Sequence, residues 1–556
     1  MSASPTNTEA PLPDGLVEDL LQPAGFPLDP DAERGVEHIQ THLSHVFLLA
    51  RRVYKLRKAV DLGFVCFTDR ARRNEDCVNE VRLNRRLATD VYLGVAPVVR
   101  ARSGGPHHEM GELIADPEHL DDALEHCVVM QRLEADRDAL SLLERGELSE
   151  AQLARVAHKI ARFHRGLTPI TRAGAGDIAQ PAQANLAAIE SAGDGVVRTR
   201  DAATLREATE AAIDALGPTF ERRRREGRVV EGHGDLHLQH VWLPTELAAQ
   251  ADPPIIDCLE FSESLRVIDV AAEVAFLAMD LVYRRAGALA EGFLRDYVAE
   301  TDDYDLYSVL DLYVSHRAAV RGKVAALAAA DAEIDADQRA GAAESAQQHV
   351  ELALRALEPR PPGTVVLVGG VIGTGKSTVA RALADPMGAV VVSSDRVRKA
   401  RLGLGATERL STGVDAGAYS PEARAAVYDA MLERAAPVVA SGRTVVLDAT
   451  WSERTMRERA RAWAGEHRAR CVFVETRCDV DVLRDRLTAR KARGNDPSDA
   501  GPELLDASLQ RFEALDEADP WPAADRSHVD TDRDDRGDQI ATLLRALDLP
   551  AGSVWG

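Results

Sequence analysis

The sequence predicts two domains of different fold class, an α+β domain followed by an α/β domain with a parallel sheet. Two observations predict this. From residue 364 onward, apolar runs (VVLVGG, AVVVSSD, TVVLDAT, CVFVET) alternate with helical patterns, the signature of parallel strands joined by crossover helices. Before that point short strand patterns give way to long helical runs, and the two parts meet at Glu358-Pro-Arg-Pro-Pro-Gly363, which cannot continue a helix. The expected organisation is a polar tail over 1–14, a first domain over 15–358, a Pro-rich linker over 359–363 and a second domain over 364–556.

Composition narrows the function classes. The 556 residues suffice for more than one core, and no run of about 18 apolar residues lacks charge, so no membrane span is expected. A formal net charge of −23 argues against a general nucleic-acid binder. The N-terminus lacks a basic patch followed by an apolar stretch, and cysteines 66, 77, 127, 258, 471 and 478 are scattered without a CxxC. A reduced, cytoplasmic protein is expected.

In chain order, the Pro/Ser/Thr-rich start reads as disordered. Gln40–Leu49 and Arg52–Lys58 read as two strands joined by a short turn, with Val53 and Lys55 on one face. Asn79–Leu87 reads as a helix carrying Glu80. Ser149–Phe163 is a helix by the spacing of Leu153, Val156, Ile160 and Phe163, with a capping box from Ser149 and Gln152. The run Arg222–Arg225 reads as a solvated helix end, Val267–Leu281 as an apolar helix, and 331–358 as helical. Between these lie His233-Gly-Asp235-Leu-His-Leu-Gln-His240 and Ile255-Ile-Asp257-Cys-Leu-Glu260-Phe261, two carboxylate-bearing segments beside short apolar runs. His233, His237 and His240 have a spacing that suits zinc, but Asp235 and Asp257 account for the segment and no cysteine completes a ligand set.

The second domain opens with Gly370-Val-Ile-Gly373-Thr374-Gly375-Lys376-Ser377, a full match to G-x-x-x-x-G-K-[ST] between an apolar run and a helical pattern beginning at Thr378. Glycines let the backbone wrap a phosphate and the helix N-terminus points amides at it. Lys376 then reaches the β/γ-phosphates and Ser377 holds Mg²⁺. Ligands in such sheets gather at the carboxyl ends of strands. Asp395 stands after the second strand as a base for an acceptor hydroxyl, Arg398 faces the same site as a substrate contact, and Asp448 ends a Walker B strand as a metal-holding carboxylate. Arg486, Arg490 and Arg493 share a helical face before a Gly/Asn/Pro loop at 494–501, a lid pattern in which Arg486 and Arg490 act on the transferring phosphoryl. A helicase or motor is not favoured, because no further motif set is present and 364–556 leaves little room.

HGDLHLQH and IIDCLEF, with VYKLRKAVDLGF, NEVRLNRRL and VYLGV upstream, resemble the aminoglycoside-phosphotransferase-like kinases, and the chain resembles fusions of such a domain to a P-loop kinase domain. The resemblance implies a protein-kinase-like first fold. In it Lys55 orients the phosphates of ATP, Glu80 pairs with Lys55, Asp235 accepts the substrate hydroxyl proton and Asp257 ligates Mg²⁺. His240 stands at the metal position where that family has Asn, an oxygen ligand, which leaves open a hydrogen-bonding role, a preference for Mn²⁺ or weakened catalysis, and the nucleotide-covering turn Thr41–His45 has no glycine. An aspartate like Asp269 braces the catalytic loop. GGVIGTGKST, SSDRVRK, LDAT and the arginine pattern resemble the gluconate-kinase, zeta-toxin and polynucleotide-kinase group. The expectation is a bifunctional kinase using ATP, with GTP also open because base contacts near Val128–Arg132 are largely backbone. It would act on small hydroxyl-bearing molecules such as sugars, amino sugars or aminoglycosides. Alternatives are an N-terminal domain that binds nucleotide only to regulate the second, and a C-terminal polynucleotide 5′-kinase or nucleotide-sugar kinase.

Overall fold

A computed structural model describes residues 10–61, 65–101, 107–117, 123–245, 252–404, 420–493, 502–515 and 521–555, with the side chains of 490–493 outside the description. Contacts divide the chain into two compact units, Met1–Gly176 with Gly227–Glu273, and Asp177–Glu226 with Val274–Gly556. The Pro-rich segment 359–363 therefore lies inside the second unit, between the helix Ala336–Leu357 and the first strand of the parallel sheet.

In the first unit the strands β1 (Glu37–Gln40), β2 (Ser44–Leu48), β3 (Arg52–Arg57), β4 (Tyr92–Arg100), β5 (His108–Met110) and β6 (Glu125–Gln131) form an antiparallel sheet in the order β1-β2-β3-β6-β4-β5. The stretch expected as one strand from Gln40 is broken at Thr41, whose Oγ1 accepts the Ser44 N–H at 3.0 Å and closes a glycine-free turn between β1 and β2. Period-two alternation splits the strand residues between two cores. Phe47, Tyr54, Leu56, Cys127 and Val129 pack with Leu16, Leu20 and Phe26 on one face. Val128 and Met130 pack with Cys77 and Val81 of the helix Arg70–Asn84 on the other. That second face carries Lys55, because Lys55 is paired with Val128 across β3 and β6. The helix Glu150–Gly166 starts at the capping box of Ser149 and Gln152. Val267–Asp269, expected as helix, instead forms β8 and pairs with β7 (Val229–Glu231) before the helix Val270–Tyr283 begins.

The second unit holds a five-stranded parallel sheet of β9 (Val365–Gly369), β10 (Val390–Ser393), β11 (Val445–Asp448), β12 (Cys471–Arg477) and β13 (Arg526–Asp530), ordered β10-β11-β9-β12-β13. The last strand was not anticipated, since RSHVD carries little apolar signal. Helices N-terminal to the sheet in sequence pack on it within the same unit. Tyr304 Oη donates to the Val391 carbonyl of edge strand β10 at 3.0 Å, Arg295 pairs with Asp385 at 2.7 Å, and buried Arg443 meets Glu291 at 3.2 Å and Asp311 at 3.0 Å. The basic run Arg222–Arg225 ends its helix with Arg222 and Arg225 exposed, as expected, but Arg223 is fully buried and bidentate to Asp303, both bonds 2.9 Å. No helix among the described residues is long and apolar enough to cross a membrane.

Candidate functional site

In the first unit, β3 presents Lys55 toward the helix Arg70–Asn84, and its Nζ donates to Glu80 Oε1 at 2.9 Å and to Asp257 Oδ1 at 3.3 Å. Burial by itself would lower the ammonium's pKa, but Asp257 and Glu80 outweigh it and hold it above the ordinary lysine value. Two residues on, and so on the same face of the strand, lies Arg57, which the sequence reading passed over. Its buried guanidinium donates to Asp76 at 2.6 Å, to the second oxygen of Glu80 at 2.6 Å and to Glu260. Glu80 is thereby shared between two cations, and β3 is tied to the segment that carries Asp257. The i, i+2 relation of Lys55 and Arg57 was the available signal.

Asp257 adopts a left-handed backbone, φ 57°, which aspartate tolerates better than most side chains. Its N–H donates to Tyr92 Oη at 3.2 Å, and the next amide, of Cys258, donates to Asn84 Oδ1 at 2.8 Å. Against desolvation, Lys55 and then His240 bring its carboxyl below the ordinary aspartate range. Asp235 follows the same pattern: burial would raise it, but His237 and His240 beside it bring it down. His240 lies between the two carboxylates, with Nδ1 3.6 Å from Asp235 Oδ2 and Nε2 3.8 Å from Asp257 Oδ2. Lys55, Glu80, Asp235, His240 and Asp257 are thus brought to one place.

His233 does not belong to a metal set. Its Nε2 donates to the Ile256 carbonyl at 2.8 Å and its Nδ1 accepts the Asp235 N–H at 3.3 Å, so both ring nitrogens are used. The histidine cluster that remains is His237 and His240 with Asp235, whose donor atoms lie within 4.8 Å of one another. Glu273 braces the loop that carries Asp235, its carboxylate accepting the His233 and Gly234 amides at 2.9 and 3.0 Å. Asp269 accepts the Ala271 N–H at the start of its helix.

In the second unit, β9 ends in the glycine loop. Gly370, Gly373 and Gly375 all have positive φ, and a Cβ on Gly370 would fall 2.4 Å from Thr476 Oγ1, so only glycine fits there. Thr374 is buried and shares a 2.6 Å hydrogen bond with Thr476 across to β12, which anchors the loop to the sheet. Lys376 Nζ donates to the Val371 carbonyl at 3.0 Å, across the loop it belongs to. Ser377 Oγ donates to Asp448 Oδ2 at 2.6 Å, and Thr378 follows it, exposed on the first turn of the helix Lys376–Met387. Asp395 and Arg398 are paired at 2.6 Å on the helix Ser394–Arg401 that leaves β10. Arg486 donates to the Thr531 side chain at 3.0 Å and to its carbonyl at 2.7 Å, and Thr531 reaches within 3.9 Å of where a Gly375 Cβ would stand. The side chains of Arg490 and Arg493, and the loop 494–501, lie outside the described residues.

The two donor sets differ toward Mg²⁺, a hard cation that takes oxygen. Ser377 and Asp448 supply two oxygens and fit it. In the first unit an imidazole nitrogen stands with the Asp257 carboxylate, and that pair does not fit Mg²⁺.

Residues 365–515 match the family model described as an AAA domain, which agrees with the glycine loop and the parallel sheet: this part is a P-loop domain. Two mycobacterial relatives align over most of the chain: Uncharacterized protein Rv2004c of Mycobacterium tuberculosis and Uncharacterized protein Mb2027c of Mycobacterium bovis. Each is 33% identical over 478 residues, covering 85% of this chain and 89% of the relative. The chain belongs to their family. Solved structures similar to about a third of it include a gluconokinase from Sinorhizobium meliloti (24% identity, 34% of this chain and 90% of that one, TM-score 0.22). Another is the Mycobacterium tuberculosis APS kinase CysC with AMPPNP and APS (19% identity, 34% and 99%, TM-score 0.25). At that level the likeness says nothing of the chemistry.

Proposed function

We propose that the chain is a bifunctional ATP-dependent phosphotransferase, each unit moving the γ-phosphoryl to a hydroxyl of a small polar molecule such as a sugar, amino sugar or aminoglycoside-like compound. The observation that carries the reading is the Ser377–Asp448 hydrogen bond at the foot of the glycine loop, which joins the loop serine to the carboxylate at the end of β11. Mg²⁺ bound there would neutralise charge on the β/γ-phosphates. Lys376 leaves the Val371 carbonyl for the phosphate oxygens, and the loop amides complete the cradle. Asp395, oriented by Arg398, accepts the acceptor's proton, and Arg486 and Arg490 belong to the lid side of the site.

In the first unit Lys55 orients the nucleotide phosphates, held by Glu80, and Asp235 takes the hydroxyl proton. His240 favours a second reading for this unit, a nucleotide-binding regulatory module. GTP remains a possible donor, nucleic acid is not the expected acceptor, and a cytoplasmic location is proposed.

The test follows label from γ-labelled ATP to a panel of sugars, amino sugars, aminoglycosides, nucleosides and a 5′-OH oligonucleotide, using wild type, Asp235→Ala and Lys376→Ala. The bifunctional reading expects two products, one lost with each variant. A single product that survives Asp235→Ala and vanishes with Lys376→Ala makes the first unit regulatory. Labelled oligonucleotide makes the second unit a polynucleotide kinase. No product from any acceptor overturns the proposal.

A further inference from the structure

We infer that the first unit's site takes a divalent transition ion of the Mn²⁺, Co²⁺ or Zn²⁺ class in place of Mg²⁺, with His240 Nε2 and Asp257 Oδ2 as its protein donors. This rests on the proposed reading of the first unit as a nucleotide site, with Lys55 on the phosphates beside Asp257.

The tautomer of His240 decides the matter. Its Nδ1 lies 2.9 Å from the backbone carbonyl of Asp235. A carbonyl can only accept, so Nδ1 carries the proton and Nε2 presents a bare lone pair. A ring N–H held by a backbone carbonyl is how metal-binding histidines are oriented. The ring cannot turn away freely, because it packs on His237 with centroids 3.8 Å apart and its side chain is only 15% exposed.

Nε2 then faces Asp257 Oδ2 at 3.8 Å. Both atoms are then acceptors, and a cation between them would satisfy both. The other Asp257 oxygen is already engaged by Lys55. A first-row ion bonds nitrogen and carboxylate oxygen at about 2.0–2.2 Å, so two such bonds span 3.8 Å at an open angle. Imidazole suits Zn²⁺ and the later first-row ions best and Mn²⁺ least among them, whereas Mg²⁺ keeps oxygen and water. The second unit offers the opposite chemistry, with a hydroxyl and a carboxylate. One chain thus holds two nucleotide sites of different metal preference.

The test uses the full-length chain carrying Lys376→Ala, to weaken nucleotide at the second unit, with Mn²⁺ and a non-hydrolysable ATP analogue. Pulsed EPR should show nitrogen modulation from one bound imidazole, lost in His240→Asn and kept in His237→Gln. Mn²⁺ should displace Mg²⁺ with a preference of about tenfold or more, which His240→Asn shrinks. If Asp257→Asn abolishes Mn²⁺ binding but no nitrogen modulation is seen in the His240 protein, the donor inference falls while the site stands. If Asp257→Asn leaves Mn²⁺ binding unchanged, the reading of the site falls with it. Loss of the nitrogen signal in His237→Gln moves the ion to the Asp235–His237–His240 cluster and overturns the assignment.

Discussion

Replacing Glu273 by Gln removes the charge on which the Asp235 loop rests. The carboxylate is 1% exposed, accepts the amides of His233 and Gly234, and lies 3.5 Å from His164 Nε2. It sits so close under the loop that a Cβ on Gly232 would fall 1.8 Å from its oxygen. Burial would raise its pKa, but the neighbouring His164 and His233, with the His233 amide it accepts, bring it from 4.5 down to about 2. A folded-state value below the unfolded one means stability that is fully present above about pH 4.5 and is lost as pH falls toward 2. The size is about 3 kcal/mol. Glutamine offers one acceptor oxygen, but its NH₂ faces N–H donors.

Hydrogen exchange by mass spectrometry over 229–240 in the full-length chain reads this locally. At pH 7 the Gln variant should lose about 3 kcal/mol of protection in that segment, and the gap to wild type should close as pH is lowered from 5 to 3. Buried His233, held down to about 4 by desolvation that Glu273 partly offsets, also costs stability as pH falls below its unfolded value of 6.5, and it does so in both chains, more strongly in the Gln variant. Equal protection at pH 7, or a gap that does not narrow on acidification, refutes the argument.

Further expectations follow from other contacts. Gly370→Ala should abolish nucleotide binding by the second unit in equilibrium titration, because its Cβ has no room against Thr476. Arg223→Ala should cost about 3–5 kcal/mol by taking the guanidinium from the buried Asp303 carboxylate, whereas the double change Arg223→Met with Asp303→Leu should recover much of it in denaturant unfolding. Arg57→Met should lower nucleotide affinity at the first unit, since Glu80 and Glu260 lose the cation between them; Arg57→Lys should restore it only in part, the amine lacking the guanidinium fork. Tyr304→Phe should destabilise by about 1 kcal/mol, a single hydrogen bond to β10, with thermal unfolding as the readout.

What the sequence determined by itself was chemistry written in contiguous residues. The glycine loop is legible because all of its conformational demands fall within eight positions, and the capping box at Ser149 because its partners are one turn apart. β9 through β12 announced themselves because buried parallel strands are apolar on both faces. The approach of Lys55, Glu80, Asp235 and Asp257 was reached through resemblance, since nothing in the spacing of those residues alone brings them together. Tertiary structure decided the rest wherever a group's partner lies far along the chain. Arg57 reads as surface charge until Asp76, Glu80 and Glu260 close on it, and Arg223 until Asp303 does. Glu273 is one more acid on an apolar helix until two loop amides point at it, and β13 is a polar pentapeptide until β12 supplies its hydrogen bonds. Burial and pairing of a charge are properties of the folded surroundings, so the residue type permits such a role and only the packing assigns it.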